Sequence, residues 1–376
     1  MRIAMIGQRG IPATFGGVEH HVEELGARLA GRGHRVTVYS RANYASERRT
    51  SYRGMRPRSL PTVSSKHLDA IVHSTLSTVD AMLAGADIVH YHAVGPGLPA
   101  VLPRYLSRAK VVLTVHGLDA ERAKWSRSAQ LVLRTAQWMS ARVPDATIVV
   151  SRDLEDHYRR QYDRSTSYIP NGVADPIHRP PAEIRRRFGL RGGDYILFVG
   201  RLVPEKAPDL LLRAFSAIEG DTKLVLAGGS SFTDDFVRGL RSRAASDPRV
   251  ILPGYVYGDL LEELYSNAAV FVLPSLLEGL PLTLLEAASF GIPVVVSDIP
   301  PHVQIVGSDG PGRRLVGAGD EGGLARTLAD ALRARDAERA GADAFGREVL
   351  AAYRWDEVAD ATEEVYRSLV SRRGGS

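Results

Sequence analysis

Two glutamates, Glu278 and Glu286, lie in one segment with seven residues between them. The apolar run Val270–Leu273 predicts a buried strand, and Pro281–Phe290 predicts a short helix with proline in its first turn. Glu278 then follows the strand's carboxyl end, and Glu286 lies about one turn into the helix. Ligands bind at that edge of open α/β sheets, and helix N-termini favour anions. The pair therefore predicts a site for a ligand with hydroxyls and phosphate, although a surface helix also explains such a spacing.

Two cations follow an earlier strand of the same half of the chain. The run Ile196–Val199 predicts a strand, and Arg201 and Lys206 lie in the loop after it. An arginine fork and a lysine point charge suit a diphosphate leaving group, whereas solvated loop charges are the alternative. Gly228 follows the next predicted strand and permits the backbone to approach a ligand closely.

The first half offers glycines and a histidine. The loop GQRGIPATFGGVEHH lacks the G-x-G-x-x-G turn, and no acid follows the next strand, which argues against a dinucleotide site. Gly16 and Gly17 precede a predicted helix, where backbone amides can approach an oxyanion, or they form a plain flexible loop. His116 ends the strand Val111–Val115 and either faces a crevice between domains or is a structural histidine bonded to its own loop.

We expect no metal site. The chain has no cysteine, which excludes disulfides and thiolate ligands and fits a cytoplasmic protein. Four histidines, His20, His21, His90 and His92, raise the possibility of a metal centre. His20 and His21 are adjacent, however, and their side chains diverge on a helix.

Strands alternate with helical patterns along the chain, which predicts an α/β protein of two doubly wound domains in tandem. The pattern pauses at the proline-rich and glycine-rich segment Tyr168–Glu183, a predicted linker. We therefore predict an N-terminal domain at 1–172, a C-terminal domain at 173–355, and a segment 356–376 made of a helix and a disordered tail. That last helix could pack on either domain.

An arginine-rich segment accounts for much of the net charge of +5. Six arginines lie between Arg41 and Arg58, opposed only by Glu47. The segment is either a solvated, mobile loop or a patch for anionic lipid headgroups or a phosphorylated acceptor, which would place the protein at the inner face of the membrane. Nucleic acid is not expected, because no reading module accompanies the charge. No run of 18 apolar residues is present, and the start does not resemble a signal peptide.

The order of motifs is similar to one known family. GGVEHH, VHGLD, IPNGV, GRLVPEK, LAGG and PSLLEGLPLTLLEAASFGIPVV together resemble a retaining glycosyltransferase of family 4, with the GT-B fold. The resemblance runs from Met1 to about Trp355, and its second-half motifs are the more specific ones. It implies two Rossmann-like domains facing across a crevice, the first for the acceptor and the second for the nucleotide sugar. The opening GQRGIPATFGGVE is closest to a bacterial subgroup that builds envelope polysaccharides, including rhamnosyltransferase-like members.

The resemblance also implies roles for residues. His116 would lie near the donor sugar, Arg201 and Lys206 would hold the diphosphate, Glu278 would contact sugar hydroxyls, and Glu286 the ribose. The remaining implied donor-binding residues are Gly16, Gly17, Gly228, Gly279, Leu280 and Leu282. On the acceptor side the residues are Glu19 and Asp119. The sequence departs from the family at Lys206-Ala207-Pro208, where the family often has glycine after the lysine.

The implied reaction moves a hexose from a UDP, GDP or dTDP sugar to an acceptor hydroxyl with retained configuration, without a metal or cofactor. The acceptor is a glycan, a glycolipid or a small molecule, so a tailoring enzyme of secondary metabolism is also possible. A sugar-nucleotide epimerase is an alternative, but it needs an acid/base pair near the sugar, and His116 has no convincing partner in the sequence. A non-catalytic partner in envelope assembly is a further alternative, against which the complete set of expected charged residues argues. Donor base, sugar, linkage and oligomeric state are not determined by the sequence.

Overall fold

A computed structural model describes residues 1–13, 16–44, 50–63, 69–118, 127–229 and 234–371. The chain forms two compact units. The first contains Met1–Gly172 and the C-terminal segment that begins at Trp355, and the second contains Val173–Arg354. The C-terminal helix is thus part of the first unit. The predicted tail 372–376 lies outside the described residues.

The first unit contains a parallel sheet with the strand order β3-β2-β1-β4-β5-β6-β7. Its strands are β1 Arg2–Ile6, β2 Arg35–Arg41, β3 Arg56–Leu60, β4 Ile88–His92, β5 Lys110–Val115, β6 Ala146–Val149 and β7 Ser167–Tyr168. Its helices are α1 Gly17–Gly31, α2 Asp69–Leu83, α3 Val101–Leu106, α4 Arg127–Arg142, α5 Arg152–Tyr162 and α14 Trp355–Ser371. The order reverses between β1 and β4.

The second unit repeats this plan with the strand order β10-β9-β8-β11-β12-β13, again parallel. Its strands are β8 Tyr195–Val199, β9 Lys223–Ala227, β10 Val250–Gly254, β11 Val270–Leu273, β12 Val294–Ser297 and β13 Arg313–Val316. Its helices are α6 Glu183–Phe188, α7 Pro208–Ser216, α8 Asp234–Ala244, α9 Asp259–Asn267, α10 Leu282–Ser289, α11 Pro300–Val306, α12 Glu321–Arg333 and α13 Arg335–Ala352. Here the order reverses between β8 and β11.

One central strand of each sheet is buried along its whole length. Every residue of β4 and β11 is buried, including the histidines of β4. Parallel sheets with helices on both faces have this pattern, and it explains the continuous apolar runs in the sequence. The predicted α/β class and the doubly wound plan of each half are confirmed. Among the described residues, no helix is both long and apolar enough to cross a bilayer.

The arginine-rich segment is where the structure differs most from the sequence prediction. The prediction of a mobile loop is wrong for the described ends of this segment, because Arg41 is the last residue of β2 and Arg56–Leu60 forms the edge strand β3. Arginine and proline are poor indicators of a strand, yet they suit an exposed edge that must not pair with another chain. Arg48 and Arg49 lie outside the described residues.

Candidate functional site

The predicted site residues lie beside the two reversal points, at the carboxyl edges of the sheets. In the second unit, Gly200 and Arg201 follow β8, and Glu278 follows its neighbour β11. In the first unit, the glycine loop before α1 follows β1, and His116 follows β5. The crevice at a reversal point is where open α/β sheets bind ligands.

Lys206 and Glu278 form a buried ion pair. The Lys206 Nζ lies 2.6 Å from Glu278 Oε1, and the two side chains are only 13% and 10% exposed. Ser275 Oγ donates to the same carboxylate oxygen at 2.8 Å. Burial by itself raises the pKa of Glu278, but the Lys206 charge and the hydrogen bonds outweigh it and hold that pKa below its usual value. Glu278 is therefore ionised at neutral pH.

Arg201 also has an acidic neighbour. Its Nη2 lies 3.8 Å from Glu205 Oε1, and the Glu205 side chain is buried. Neither carboxylate oxygen of Glu205 has a hydrogen-bond partner among the described residues. The backbone oxygen of Glu205 accepts from the Leu276 amide at 2.8 Å, which ties the loop after β8 to the loop after β11. Each predicted cation is thus matched by a nearby carboxylate.

A chain of hydrogen bonds supports the loop that carries Glu278. Ser297 Oγ donates to the Ser275 carbonyl, and Nδ1–H of His302 donates to the Ser297 carbonyl at 2.9 Å. Burial lowers the pKa of His302 to about 4, so the imidazole is neutral. The sequence did not indicate His302 or Ser275. Glu205 was also missed, although its place inside the GRLVPEK motif is a signal that could have identified it.

Glu286 lies one turn into α10, as predicted, and Tyr265 orients it. The Tyr265 hydroxyl donates to Glu286 Oε2 at 2.9 Å. Burial and the Glu286 charge raise the pKa of Tyr265 well above its usual value, so the phenol keeps its proton. Tyr265 lies on α9, 21 residues away, and no pattern in the sequence indicated it.

A glycine lets the loop after β9 approach the loop after β8 closely. Gly228 has φ +147°, and a Cβ at this position would lie 1.8 Å from the Gly200 carbonyl oxygen. Only glycine allows this approach. Gly279 and Leu280 lie in the loop before α10, where Leu280 is buried, and Leu282 is the first residue of that helix. Its first-turn amides are the groups that a helix leaves without internal partners.

Gly16 lies directly before α1 and is packed against a glutamate, and Gly17 is the first residue of that helix. Gly16 precedes the helix with an extended φ of 174°. A Cβ on Gly16 would lie 2.8 Å from Glu19 Oε2. The other carboxylate oxygen of Glu19 accepts from the Arg9 amide at 3.0 Å, and the residue is buried. The Glu19 carboxylate therefore contacts the backbone at both Arg9 and Gly16. Asp119, the other predicted acceptor residue, lies outside the described residues.

His116 belongs to a group of three imidazoles. His92 Nδ1 and His116 Nε2 lie 3.4 Å apart, and the rings of His21 and His116 have centroids 4.7 Å apart. Burial lowers the pKa of His21 to about 4 and the pKa values of His92 and His116 well below the usual value. His116 is thus neutral, and its ring lies within hydrogen-bond distance of a histidine of the neighbouring strand.

Hydrogen bonds to surrounding residues hold His21 and the adjacent His90 in place. His21 Nδ1 lies 2.9 Å from Asn171 Oδ1, and the neighbouring His90 bonds the Tyr366 hydroxyl of α14 at 2.6 Å. One ring nitrogen of each of His21, His92 and His116 lies within 4.8 Å of the others, so this described group could hold a metal ion. The sequence prediction considered His20 and His90 together with His21 and His92, and it did not include His116. Two of the three rings are hydrogen-bonded to each other.

The described arginines of the segment Arg41–Arg58 are largely ion-paired. Arg41 contacts Asp69 at 2.7 Å, Arg58 contacts Asp80 at 2.6 Å, and Arg53 contacts two glutamates of α1. Arg56 is exposed. The acids come from distant parts of the sequence, so counting only Glu47 overstated the charge of this segment.

Family models match both halves of the chain. Residues 15–175 match the model described as Glycosyltransferase Family 4, and residues 193–334 match the model described as Glycosyl transferases group 1. The two matches correspond to the two structural units and together cover most of the chain.

Known proteins resemble the chain along its whole length. It is 27% identical, over 93% of this chain and 94% of the relative, to a GDP-mannose-dependent phosphatidylinositol monomannoside mannosyltransferase of Mycobacterium tuberculosis. Sucrose-phosphate synthase from Thermosynechococcus elongatus superposes with a TM-score of 0.84 at 23% identity, covering 99% of both chains. Anabaena HepE in complex with UDP-glucose superposes with a TM-score of 0.82 at 17% identity, covering 98% of this chain and 100% of its own. The predicted GT-B fold is confirmed.

Proposed function

The chain belongs to the GT-B glycosyltransferases, and we propose that it transfers a hexose from a nucleoside diphosphate sugar to an acceptor hydroxyl with retention of configuration. The observation that carries this proposal is the pair of cations, Arg201 and Lys206, with their carboxylate partners at the reversal point of the second sheet. HepE, similar in fold, was solved with UDP-glucose, which supports a nucleotide-sugar donor.

The donor diphosphate is assigned to the second unit. An arginine fork and a lysine point charge complement its oxygens, and the first-turn amides of α10 add partial positive charge. Glu278, held ionised by Lys206, accepts hydrogen bonds from sugar hydroxyls, and Glu286, oriented by Tyr265, accepts them from the ribose. Gly228 lets the backbone approach the donor.

The transfer step breaks the bond between the anomeric carbon and the diphosphate and forms one to the acceptor oxygen. Negative charge develops on the departing diphosphate, where Arg201 and Lys206 would each contribute about 3 kcal/mol of transition-state stabilisation. The acceptor's proton passes to an oxygen of the leaving diphosphate on the same face, so no side-chain base is required. In this proposal the cations serve where other transferases use a metal ion.

His116 is assigned to the reacting centre. Its neutral imidazole, fixed by His92, offers a hydrogen bond to the sugar without adding a charge. The first unit is assigned the acceptor, for which a glycan or glycolipid is favoured because the mycobacterial relative is named as acting on a phosphatidylinositol mannoside. A small-molecule acceptor is the competing assignment.

Donor binding provides the direct test. We expect UDP, GDP or dTDP sugars to raise the thermal unfolding midpoint, because a ligand at a hundred times its Kd adds about 2.7 kcal/mol of stability. Product from the stabilising donor should keep its anomeric configuration by NMR, and transfer should continue in EDTA. Isomerisation of the donor without an acceptor would favour an epimerase. Failure of every donor to bind, or unchanged transfer and donor hydrolysis in Glu278→Ala, would exclude the proposal.

A further inference from the structure

The three most exposed large apolar side chains of the described residues lie at the ends of two helices of the first unit, α2 and α3. Leu83 ends α2 and is 83% exposed, whereas Tyr105 and Leu106 end α3 and are 73% and 71% exposed. Their chain neighbours Met82 and Ser107 line one cavity of about 690 Å³. Soluble proteins scatter such side chains singly, so their concentration at one place marks a surface for binding.

Cations surround this apolar group. Arg2 and Arg108 line the cavity, and Arg104 lies on α3 beside Tyr105, with its guanidinium 5.9 Å from the ring centroid. We call the three apolar residues together with Arg2, Arg104 and Arg108 the basal surface, because it lies at the amino-terminal edge of the first sheet. That edge is opposite to the one that carries His116.

The charge of this edge is not balanced. Asp87 pairs with Arg2 at 3.3 Å, and Asp145 lies 3.4 Å from Arg104 and 3.7 Å from Lys110. Arg108 forms no ion pair within the described part of the chain, in contrast to Arg41, Arg53 and Arg58. The same edge carries further cations next to its strands, namely Lys110, Arg142 and Arg164. With Asp163 beside Arg164 included, three acids thus face six cations at these positions.

We propose that the basal surface docks the protein on the headgroup region of an anionic lipid bilayer. Leucine and tyrosine at helix ends can enter the boundary between headgroups and acyl chains, while the arginines bind phosphate groups beside them. A second copy of the chain fits less well, since a two-fold interface would place the same excess of cations against itself. This surface replaces the segment Arg41–Arg58 as the membrane contact, because the described cations of that segment are largely paired.

Docking at this edge would leave the carboxyl edge of the sheet open to substrates. The inference is therefore independent of the transfer reaction, and activity on soluble substrates should be the same in every variant below. Retained activity also shows that each variant is folded.

Vesicle sedimentation of the full chain tests the proposal. We expect binding to phosphatidylcholine vesicles that contain phosphatidylglycerol, weaker binding to phosphatidylcholine alone, and a decline with added salt. Leu83→Ser combined with Leu106→Ser should weaken binding about tenfold, and Arg108→Glu should weaken it by about fivefold or more. The matched controls in the second unit are Ile177→Ser, an exposed apolar residue, and Arg185→Glu, an exposed arginine of α6. Arg56→Glu, in β3, tests the segment Arg41–Arg58 separately.

Three results would overturn the inference. The first is a wild-type protein that does not sediment with anionic vesicles. The second is an Arg56→Glu variant that binds as weakly as Arg108→Glu, which would return the contact to the segment Arg41–Arg58. The third is a wild-type dimer in ultracentrifugation that the double leucine variant dissociates, which would make a second copy the occupant. If the double leucine variant does not fold, Arg108→Glu, its control Arg185→Glu and Arg56→Glu still decide between these outcomes.

Discussion

The two units share one strand order but place opposite kinds of chemistry beside their reversal points. In the second unit, Lys206 and Glu278 form a buried ion pair, and Arg201 faces Glu205. In the first unit, the group around His116 consists of imidazoles that burial keeps neutral by lowering the pKa of each ring. This difference agrees with the roles proposed above, in which the second unit binds the charged diphosphate and the first unit binds the uncharged acceptor.

The largest effect is expected from acid, which should destabilise the first unit more than the second. Burial depresses the pKa of five histidines in the first unit, with His21 and His73 at about 4, but in the second unit it does so for His302. The unfolded chain binds protons near pH 6.5 and the folded chain only near 4, so stability is complete above 6.5 and declines as pH falls through this window. At pH 5 a histidine such as His21 would cost about 2 kcal/mol.

Hydrogen exchange followed by mass spectrometry between pH 7.5 and 5 measures this difference. Peptides of the first unit should lose protection at higher pH than those of the second. Equal loss in both units, or earlier loss in the second, would contradict the assignment of neutral buried imidazoles.

Removing one charge of the second unit tests the other side of the comparison. Lys206→Ala deletes a cation from the proposed diphosphate site and leaves Glu278 buried without its partner. We expect the transfer rate to fall by a factor of about 100 or more, corresponding to roughly 3 kcal/mol. The control is Lys223→Ala, whose Nζ donates to the Gly189 carbonyl at 2.7 Å on the surface. A rate within a fewfold of wild type would remove Lys206 from the mechanism.

Glycine substitutions test a feature that the two units share. Gly7 and Gly228 both have positive φ, and an added Cβ would lie 2.2 Å and 1.8 Å from a carbonyl oxygen of a neighbouring strand or loop. Alanine at either position should lower the free energy of unfolding by about 2 kcal/mol or more. Gly239→Ala in α8 is the control, because its surroundings are open and alanine favours a helix. Denaturant unfolding of all three variants compares them, and equal stability of Gly228→Ala and wild type would refute the close approach.

The smallest effect is expected from the contact that orients Glu286. Tyr265→Phe removes one hydrogen bond to the carboxylate while it keeps the buried ring. Donor affinity should fall severalfold, which corresponds to about 1 kcal/mol of binding free energy, and the rate at saturating donor should change little. Calorimetric titration with the donor measures this change. A fall in the transfer rate at unchanged donor affinity would indicate that Glu286 acts in the chemical step and not in donor binding.

The fold was predictable because buried parallel strands leave continuous apolar runs such as Val270–Leu273. The strand β3, with the sequence RPRSL, was not predictable, because an exposed edge imposes no hydrophobic pattern. Motif order likewise indicated Lys206 and Glu278, but their contact spans 72 residues and depends on β8 lying next to β11.

Contacts between residues that share no motif could not be predicted from the sequence. His21, His92 and His116 lie on three different elements, and only the sheet order and the packing of α1 bring them together. The same holds for Asp69 and Asp80, which neutralise arginines far away in the chain. Local charge counting therefore misjudged the segment Arg41–Arg58.

The ion pair between Lys206 and Glu278 gives the site its own counterion. In the proposed mechanism, an arriving diphosphate meets a lysine that Glu278 already neutralises, so few dissolved ions would be released and affinity should depend only weakly on ionic strength. After release of the diphosphate product, the same carboxylate would still neutralise the lysine and lower the cost of an exposed positive charge. If the proposed site is correct, this pairing would limit the affinity for the product and favour turnover.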